Sequence, residues 1–448
     1  MTANEAFDAI VVGSGAAGLA AALTTARAGL RTAVLERTEA IGGTSAMSGG
    51  LVYAPGSRLA ADAGHEFDRA GVEAYLQAVA RRPIDQALLE AFLDAAPRMI
   101  DELLGSGVEL RLTGVLDYYR NAPGVAAGHV IAAQPFDPAS LGDLAARIRR
   151  SPYRDSEAVP WTAGMAVVAH LVAACVRAGV VIRTGCRVTR LLLEDHAVAA
   201  VLTDSGSGDG PAAVRAGHVV LASGGFEFNP ELVREWVGPT LEGAWSCPCN
   251  EGDGLAMAQS AGARLSAMGE AQWYALLRLS DERLEGAPLF ADASPARNLP
   301  GSIIVDAGGR RFANEATLYQ DFGRALAGHA PDRRPAWLIA DQAFVDAYRQ
   351  TCFGDRPLER GPFHATRVYA GCSGTTGGPR TDAAARVLDI TGRPVPGLYA
   401  AGNITAQLFG DASPASGATL GPGMTFGYLA GCEAAASAGR PAGASSTT

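Results

Sequence analysis

The sequence predicts an α/β protein, with a discontinuous domain built on a parallel sheet and an inserted smaller α+β domain. Three observations predict it. An apolar strand runs through a glycine-rich turn into an alanine-rich helix, Asp8-Ala-Ile-Val-Val-Gly13-Ser-Gly15-Ala-Ala-Gly18. A second apolar strand, Thr32-Ala-Val-Leu, follows and ends in Glu36. Aromatic residues then become frequent between about Met268 and Phe363, after which glycine-rich segments return.

The first element has a physical reason for each glycine. Gly13 permits the tight turn, Gly15 lets a pyrophosphate approach the backbone, and Gly18 allows the helix to pack on the strand. The helix start, Ser14, Ala16 and Ala17 included, offers free N–H groups and a positive dipole end to phosphates. Glu36 stands where a ribose hydroxyl needs an acceptor, with Arg37 beside it. Together these predict a Rossmann-like dinucleotide site. The next run, Gly42-Gly43-Thr44-Ser45-Ala46-Met47-Ser48-Gly49-Gly50, is small and hydroxylated. Its backbone and hydroxyl donors suit a flat ring system and its phosphate arm, which points to a flavin rather than a nicotinamide.

Bulk composition narrows the class. With 448 residues, 48% hydrophobic and 19% charged, the chain is long enough for one large or two ordinary domains. A net charge of −9 without a long basic run argues against a nucleic-acid partner. The polar N-terminus has no signal-peptide character. The most apolar window, Met165 to Ile182, is interrupted by His170 and Arg177, so no integral membrane segment is expected. A cytoplasmic location follows as the expectation. Of seven cysteines only Cys247 and Cys249 are close; no second ligand pair is evident, so no metal and reduced thiols are expected.

Further along, residues 66 to 112 carry helical spacing, as in Ala87-Leu-Leu-Glu-Ala-Phe-Leu, and Gly164 to Leu193 reads helix, turn, strand, strand. The glycine run from 206 to 210 has no following helix and reads as a hairpin tip. His218-Val-Val-Leu-Ala-Ser223-Gly224-Gly is a buried strand ending in glycines, where open α/β sheets present ligands. Gly252-Asp253-Gly254 opens another helix. The expected boundaries are 1–267 and 366–439 for the nucleotide domain, 268–365 for the insert, and 440–448 for a disordered tail.

Over roughly residues 7 to 437 the chain resembles the flavoprotein superfamily of succinate dehydrogenase and fumarate reductase subunits, and especially the 3-ketosteroid dehydrogenases. The resemblance rests on the two N-terminal loops and on three later segments. These are Ser373-Gly-Thr-Thr-Gly-Gly-Pro-Arg-Thr-Asp382, Pro396-Gly-Leu-Tyr-Ala-Ala-Gly402-Asn403, and Gly417-Ala-Thr419-Leu420-Gly-Pro-Gly-Met-Thr-Phe-Gly427. It implies FAD as cofactor and an inserted substrate (capping) domain. Beyond the first loops, Glu36 and Arg37, it implies cofactor contacts at Gly43, Thr44, Ser45, Gly49, Gly50, Val188, Ser223, Gly224, Asp253, Gly402, Asn403, Thr419 and Leu420.

Catalytic positions separate the subfamilies. Fumarate reductases carry a proton-delivering arginine in an Asn-Glu-x-x-x-Arg context, but here Asn314-Glu315-Ala-Thr-Leu leads to Tyr319. Ketosteroid dehydrogenases place a tyrosine base at that position. The resemblance therefore implies α,β-desaturation of a cyclic ketone, either a cyclohexanone-type ring or a 3-ketosteroid. Such chemistry needs a base for the α-proton, a hydride acceptor, and donors for the developing enolate oxygen. Tyr118 or Tyr119 resembles the family's assisting tyrosine, a choice left open. Trp273 and Tyr274 are expected as pocket walls, and Arg120, Arg278 and Arg324 are candidate anchors for a substrate carboxylate.

One departure matters. The family's enolate-holding tyrosine and glycine N–H lie in Tyr-x-Gly-x-Gly-Ala-Thr, whereas this chain has Ser413-Pro-Ala-Ser-Gly417-Ala-Thr. Gly417 is kept and Ser413 takes the tyrosine's place. No second nucleotide fingerprint is present for NAD(P)H, so an external acceptor such as a quinone, oxygen or a dye is expected. An ene-reductase running in reverse, or a non-catalytic flavoprotein, are the alternatives.

Overall fold

The computed structural model describes residues 5–153, 157–204, 210–329, 331–348 and 361–440. Its contacts divide into two compact units. The first comprises residues 1–226, 249–268 and 376–448, and the second residues 227–248 and 269–375.

The elements that shape the first unit are, in chain order, β1 (Ala9–Val12), α1 (Ala16–Arg27), β2 (Thr32–Leu35), β3 (Val181–Arg183), β4 (His218–Leu221), α2 (Asp253–Ser260), β5 (Pro394–Ala400) and α3 (Leu420–Ser437). The sheet order is β5-β4-β1-β2-β3, parallel throughout, with Arg386–Leu388 added antiparallel beside β5. All four residues of β1 and of β2 are buried, the uninterrupted apolar run expected of a parallel strand covered on both faces. The chain builds outward from β1 through β2 to β3, then returns to β4 on the other side of β1. That reversal makes the carboxyl ends of β1 and β4 a topological switch point, where such sheets bind ligands.

α1 is rich in alanine and packs against α3 through Gly427 and Gly431, where an added Cβ would strike the Ala17 carbonyl and the Thr24 side chain. The predicted helical stretch forms Arg69–Val79 and Gln86–Gly105, N-capped by Asp68 and Asp85. Leu89, Phe92, Leu93, Ala96, Met99, Ile100 and Leu103 of the longer helix repeat at helical spacing and are buried in the main core. The strands flanking the 206–210 run, Ala197–Asp204 and Ala212–Arg215, pair antiparallel as a hairpin requires. Residues 205–209 of that run, and residues 441–448 of the expected tail, lie outside the described residues.

The second unit is built on a six-stranded sheet centred on Ala271–Leu284 and its antiparallel partner His364–Thr375. Ala336–Ala340, Ser302–Val305 and Ala287–Asp292 complete the antiparallel part, and Gly243–Ala244 adds in parallel to Gly371 and Cys372. The unit is therefore larger than the expected insert: it takes in 227–248 and the whole of the 364–375 strand. Glu227 supplies a reason, since its carboxylate accepts from Ser246 Oγ (2.7 Å) and from the Thr375 N–H (3.1 Å). The helix Tyr319–Ala327 buries Phe322, Leu326 and Ala327 in the core of this unit, with Trp273, Ala275 and Leu338.

Cysteine chemistry corrects one expectation. Cys175, Cys186, Cys372 and Cys432 are free thiols, but Cys247 and Cys249 are disulfide-bonded rather than reduced. Two cysteines separated by one proline are held close by the chain itself, so local sequence rather than folding brings the sulfurs near. Among the described residues no helix is long and apolar enough to cross a membrane, and no group of three or more His, Cys, Asp or Glu could hold a metal ion.

Candidate active site

The glycine loops of the first unit converge at the carboxyl ends of β1 and β4. Gly13 has φ +103° and an added Cβ would lie 2.5 Å from the Ala222 carbonyl oxygen, so the turn after β1 tolerates no other residue. Ser14 ties three loops together. Its hydroxyl donates to Glu36 (2.7 Å) and accepts from the Gly42 N–H (2.9 Å). The other Glu36 oxygen accepts from the Thr38 N–H (2.9 Å), so this buried acid orders the nucleotide loops. Ser45 Oγ accepts from the Ala16 N–H (3.0 Å), and Thr44 Oγ1 accepts from Asn250 (3.2 Å). Gly224 lies against the same Asn250 side chain, and Gly402 lies against Ala17 of α1.

These residues fit a bound diphosphate dinucleotide. α1, α2 and α3 begin at Gly15, Gly252 and Thr419 without a side-chain cap, whereas the structural helices at Asp68 and Asp85 are capped by their carboxylates. Helix starts left without a side-chain cap suit anionic groups. Beyond the backbone of its own chain neighbours, an added Cβ at Gly15 would meet only Ser45 Oγ (3.4 Å), and at Gly43 nothing within 4 Å. That leaves room over both loops. Arg37 is engaged by Glu251 (2.6 Å), Asp253 (3.2 Å) and the Cys249 carbonyl, and Asp253 also takes a two-point bond from Arg187, beside the buried Val188. Gly50 packs onto Ala163, with Gly49 next to it in the chain.

The expected catalytic residues of the first unit lie on two segments pinned to each other. Pro414 O accepts from the Tyr118 N–H (2.8 Å) and from the hydroxyl of Tyr75 (2.5 Å), and that hydroxyl accepts from the Tyr119 N–H (3.2 Å). Burial pushes the Tyr75 phenol up to about 12, so it stays a neutral donor and holds the loop. The Tyr118 and Tyr119 side chains then part company. The Tyr118 hydroxyl is 2.7 Å from Ser416 Oγ, while Tyr119 packs against the main hydrophobic core. Ser413 is only 1% exposed; Ser416 and Gly417 are half-buried. Gly417, at φ +83°, is pressed against Leu51 and Tyr53, 2.6 Å from where a Cβ would stand.

Tyr319 opens its helix in the second unit. Its ring stacks flat on Tyr274, centroids 4.3 Å apart and planes 6° apart, and Trp245 meets Tyr274 edge-on at 5.2 Å. The fully buried Gln320 fixes this geometry by accepting from the Trp273 N–H (2.7 Å) and donating to the Ala271 carbonyl (3.2 Å). Trp273 itself is packed in the core of the unit, so Tyr274 is the aromatic neighbour that matters. Arg297, 1% exposed, donates to the Glu315 and Thr317 carbonyls and lies 4.8 Å over the Phe322 ring. Burial pushes its guanidinium down to about 10, still charged at neutral pH. Burial raises Glu315 too, but Arg311 and the Ile304 N–H outweigh it and hold the carboxyl below its usual range. Among the candidate anchors, Arg324 is paired with Glu270 (2.9 Å), while Arg120 and Arg278 are exposed.

Tyr75, Gln320 and Arg297 hold these segments in place but sit in none of the motifs recognised in the sequence, and Ser416 lies unremarked inside the Ser413–Thr419 segment. Ser416 alone left a signal: a hydroxyl directly before the retained Gly417.

The family described as FAD binding domain matches residues 8–420, and FAD is the cofactor of these loops. A 4-oxocyclohexanecarboxylate 2-dehydrogenase of Sinomonas cyclohexanicum is 32% identical, covering 96% of this chain and 93% of the relative. A 3-oxosteroid 1-dehydrogenase of Mycolicibacterium smegmatis is 30% identical over 98% of each chain. Among solved structures, a 3-ketosteroid delta1-dehydrogenase of Sterolibacterium denitrificans superposes with a TM-score of 0.86 at 27% identity, covering 97% of this chain and all of that one.

Proposed function

The chain belongs to the FAD-binding domain family, and from that premise we propose that it is an FAD-dependent oxidoreductase that desaturates a cyclic ketone between its α and β carbons. The observation that carries the reading is Tyr319, a phenol where dicarboxylate reductases of the superfamily carry arginine, held flat against Tyr274. Bound FAD supplies the hydride acceptor. Tyr319 removes the α-proton, and Tyr118 assists as the second phenol. The Gly417 N–H holds the ketone oxygen as charge develops on it. Gly13 to Gly18, Glu36, Thr44, Ser45, Ser223, Gly224, Gly402, Asn403 and the start of α3 hold the cofactor.

A single-ring substrate is favoured over a steroid, since the 32% identical relative is named for a single-ring keto acid. Exposed Arg120 or Arg278 is the better candidate for a substrate carboxylate, because Arg324 already has Glu270. Electrons leave to an external acceptor of the quinone, oxygen or dye class.

The test is anaerobic mixing of the yellow protein with cyclohexanone, 4-oxocyclohexanecarboxylate and 3-ketosteroids while following flavin absorbance. One of them bleaches the flavin, and Tyr319→Phe slows that bleaching by about 10²- to 10⁴-fold while still binding the ketone. Absence of bleaching by every ketone, or a Tyr319→Phe variant as fast as the parent, rejects the reading.

A further inference from the structure

We infer that Ser416 is a catalytic residue: its hydroxyl, backed by Tyr118, donates to the ketone oxygen beside the Gly417 N–H and takes over the task of the absent tyrosine at position 413. This inference rests on the ketone-desaturase reading above and names the donor that reading lacks.

Two adjacent residues supply the geometry. Residues 411 to 415 are all buried, Ser413 to 1%, and the loop reaches half-exposure at Ser416 and Gly417. Of the two serines, the one matched by sequence position is thus shut into the interior, and the one three residues later is accessible. The Gly417 N–H makes no hydrogen bond to any described residue, although the Gly417 carbonyl accepts from Tyr53. Ser416 Oγ lies 2.7 Å from the Tyr118 hydroxyl. When Tyr118 donates to that oxygen, the Ser416 proton is left available to another acceptor. A hydroxyl polarised by a second hydroxyl is a stronger donor than an isolated serine.

The loop is also rigid, which an oxyanion site requires because its donors must not reorganise as charge appears. Pro414 O is held by Tyr75 and the Tyr118 N–H, Ala412 O by Gln407 (2.7 Å), and Asp411 by Arg82. On the other side, the Gly417 backbone is pressed onto Leu51 and Tyr53. Ser416 is therefore carried between two anchored points, one residue ahead of the Gly417 N–H.

The experiment uses phenol, 4-hydroxyacetophenone and 4-cyanophenol, planar mimics of the enolate with increasingly acidic hydroxyls. Their dissociation constants are read from the perturbation of flavin absorbance in FAD-loaded parent, Ser416→Ala, Ser416→Thr and Tyr118→Phe proteins. Parent affinity should rise with phenol acidity. Ser416→Ala should lose about ten- to a hundredfold in affinity for 4-cyanophenol and flatten that trend, with flavin content and affinity for the saturated ketone within about threefold of the parent. Ser416→Thr, which keeps the hydroxyl, should restore the trend.

Two results overturn the assignment. In one, Ser416→Ala binds the whole series as the parent does. In the other, with exchange of the ketone α-hydrogen into solvent deuterium followed in parallel, Ser416→Ala and Tyr118→Phe slow that exchange alike while phenol affinity is unchanged. The second result would make Ser416 a positioning residue for Tyr118. A parent enzyme that neither bleaches with a cyclic ketone nor binds a phenol instead rejects the desaturase reading, and the Ser416 assignment with it.

Discussion

At Gly417 a single backbone angle and a closely packed wall leave room for no side chain. Its φ of +83° is a left-handed conformation that a side chain tolerates poorly, and the space a Cβ would need is filled by Leu51 and Tyr53. Gly417→Ala should therefore cost about 2–3 kcal/mol or more, seen as a lower thermal midpoint and a lower flavin-to-protein ratio. An alanine variant with parent-like melting and flavin content would show that the loop yields freely and that the site is less rigid than described. The neighbouring tyrosines show the same dependence on local detail. Adjacent in sequence, Tyr118 and Tyr119 end in different surroundings, one bonded to a serine hydroxyl and the other packed against the core.

Among the elements, the helix Tyr319–Ala327 depends on a buried cation for its placement. Arg297 reaches the carbonyls of Glu315 and Thr317, just ahead of the helix, and lies over Phe322 one turn inside it. Removing the guanidinium leaves those carbonyls without their donor in an apolar setting. Arg297→Met should destabilise the protein by about 3 kcal/mol. Arg297→Lys should recover only part of that, because an ammonium cannot span the same fork of acceptors. Thermal melting of both variants tests the ranking; a methionine variant as stable as the parent would mean the cation holds nothing. α1 shows the contrasting case. Its start is set by Gly13 to Gly18 and its packing by small residues facing Gly427 and Gly431 of α3, so no charged anchor is needed.

Across the whole molecule, the cofactor is part of the fold. In the first unit the turn after β1, the 42–50 run, Gly224 with Asn250, and Gly402 with Ala17 are tied to one another, and α1, α2 and α3 start without side-chain caps. A ligand that binds only the folded state stabilises it by mass action, about 2.7 kcal/mol at a free concentration one hundred times its dissociation constant. Stripping FAD should lower the thermal midpoint by several degrees, and adding FAD back should raise it progressively. A midpoint indifferent to FAD would mean that the loops stand without their ligand.

The sequence by itself determined the nucleotide half of this protein. The strands β1 and β2, the glycine turns and the acid at Glu36 are all set within about thirty residues, by strand burial, turn geometry and a helix start, which are short-range physics. The position of Tyr319 was equally legible, because Asn314 and Glu315 lie just before it. Only the tertiary structure separated the surroundings of Tyr118 from those of Tyr119, and of Ser413 from those of Ser416, through a hydrogen bond between residues 298 apart in the chain. It also placed Glu227 with Ser246 and Thr375, and so widened the second unit beyond the expected insert. Side-chain direction in an irregular loop is set by what packs against it, and that comes from remote parts of the chain.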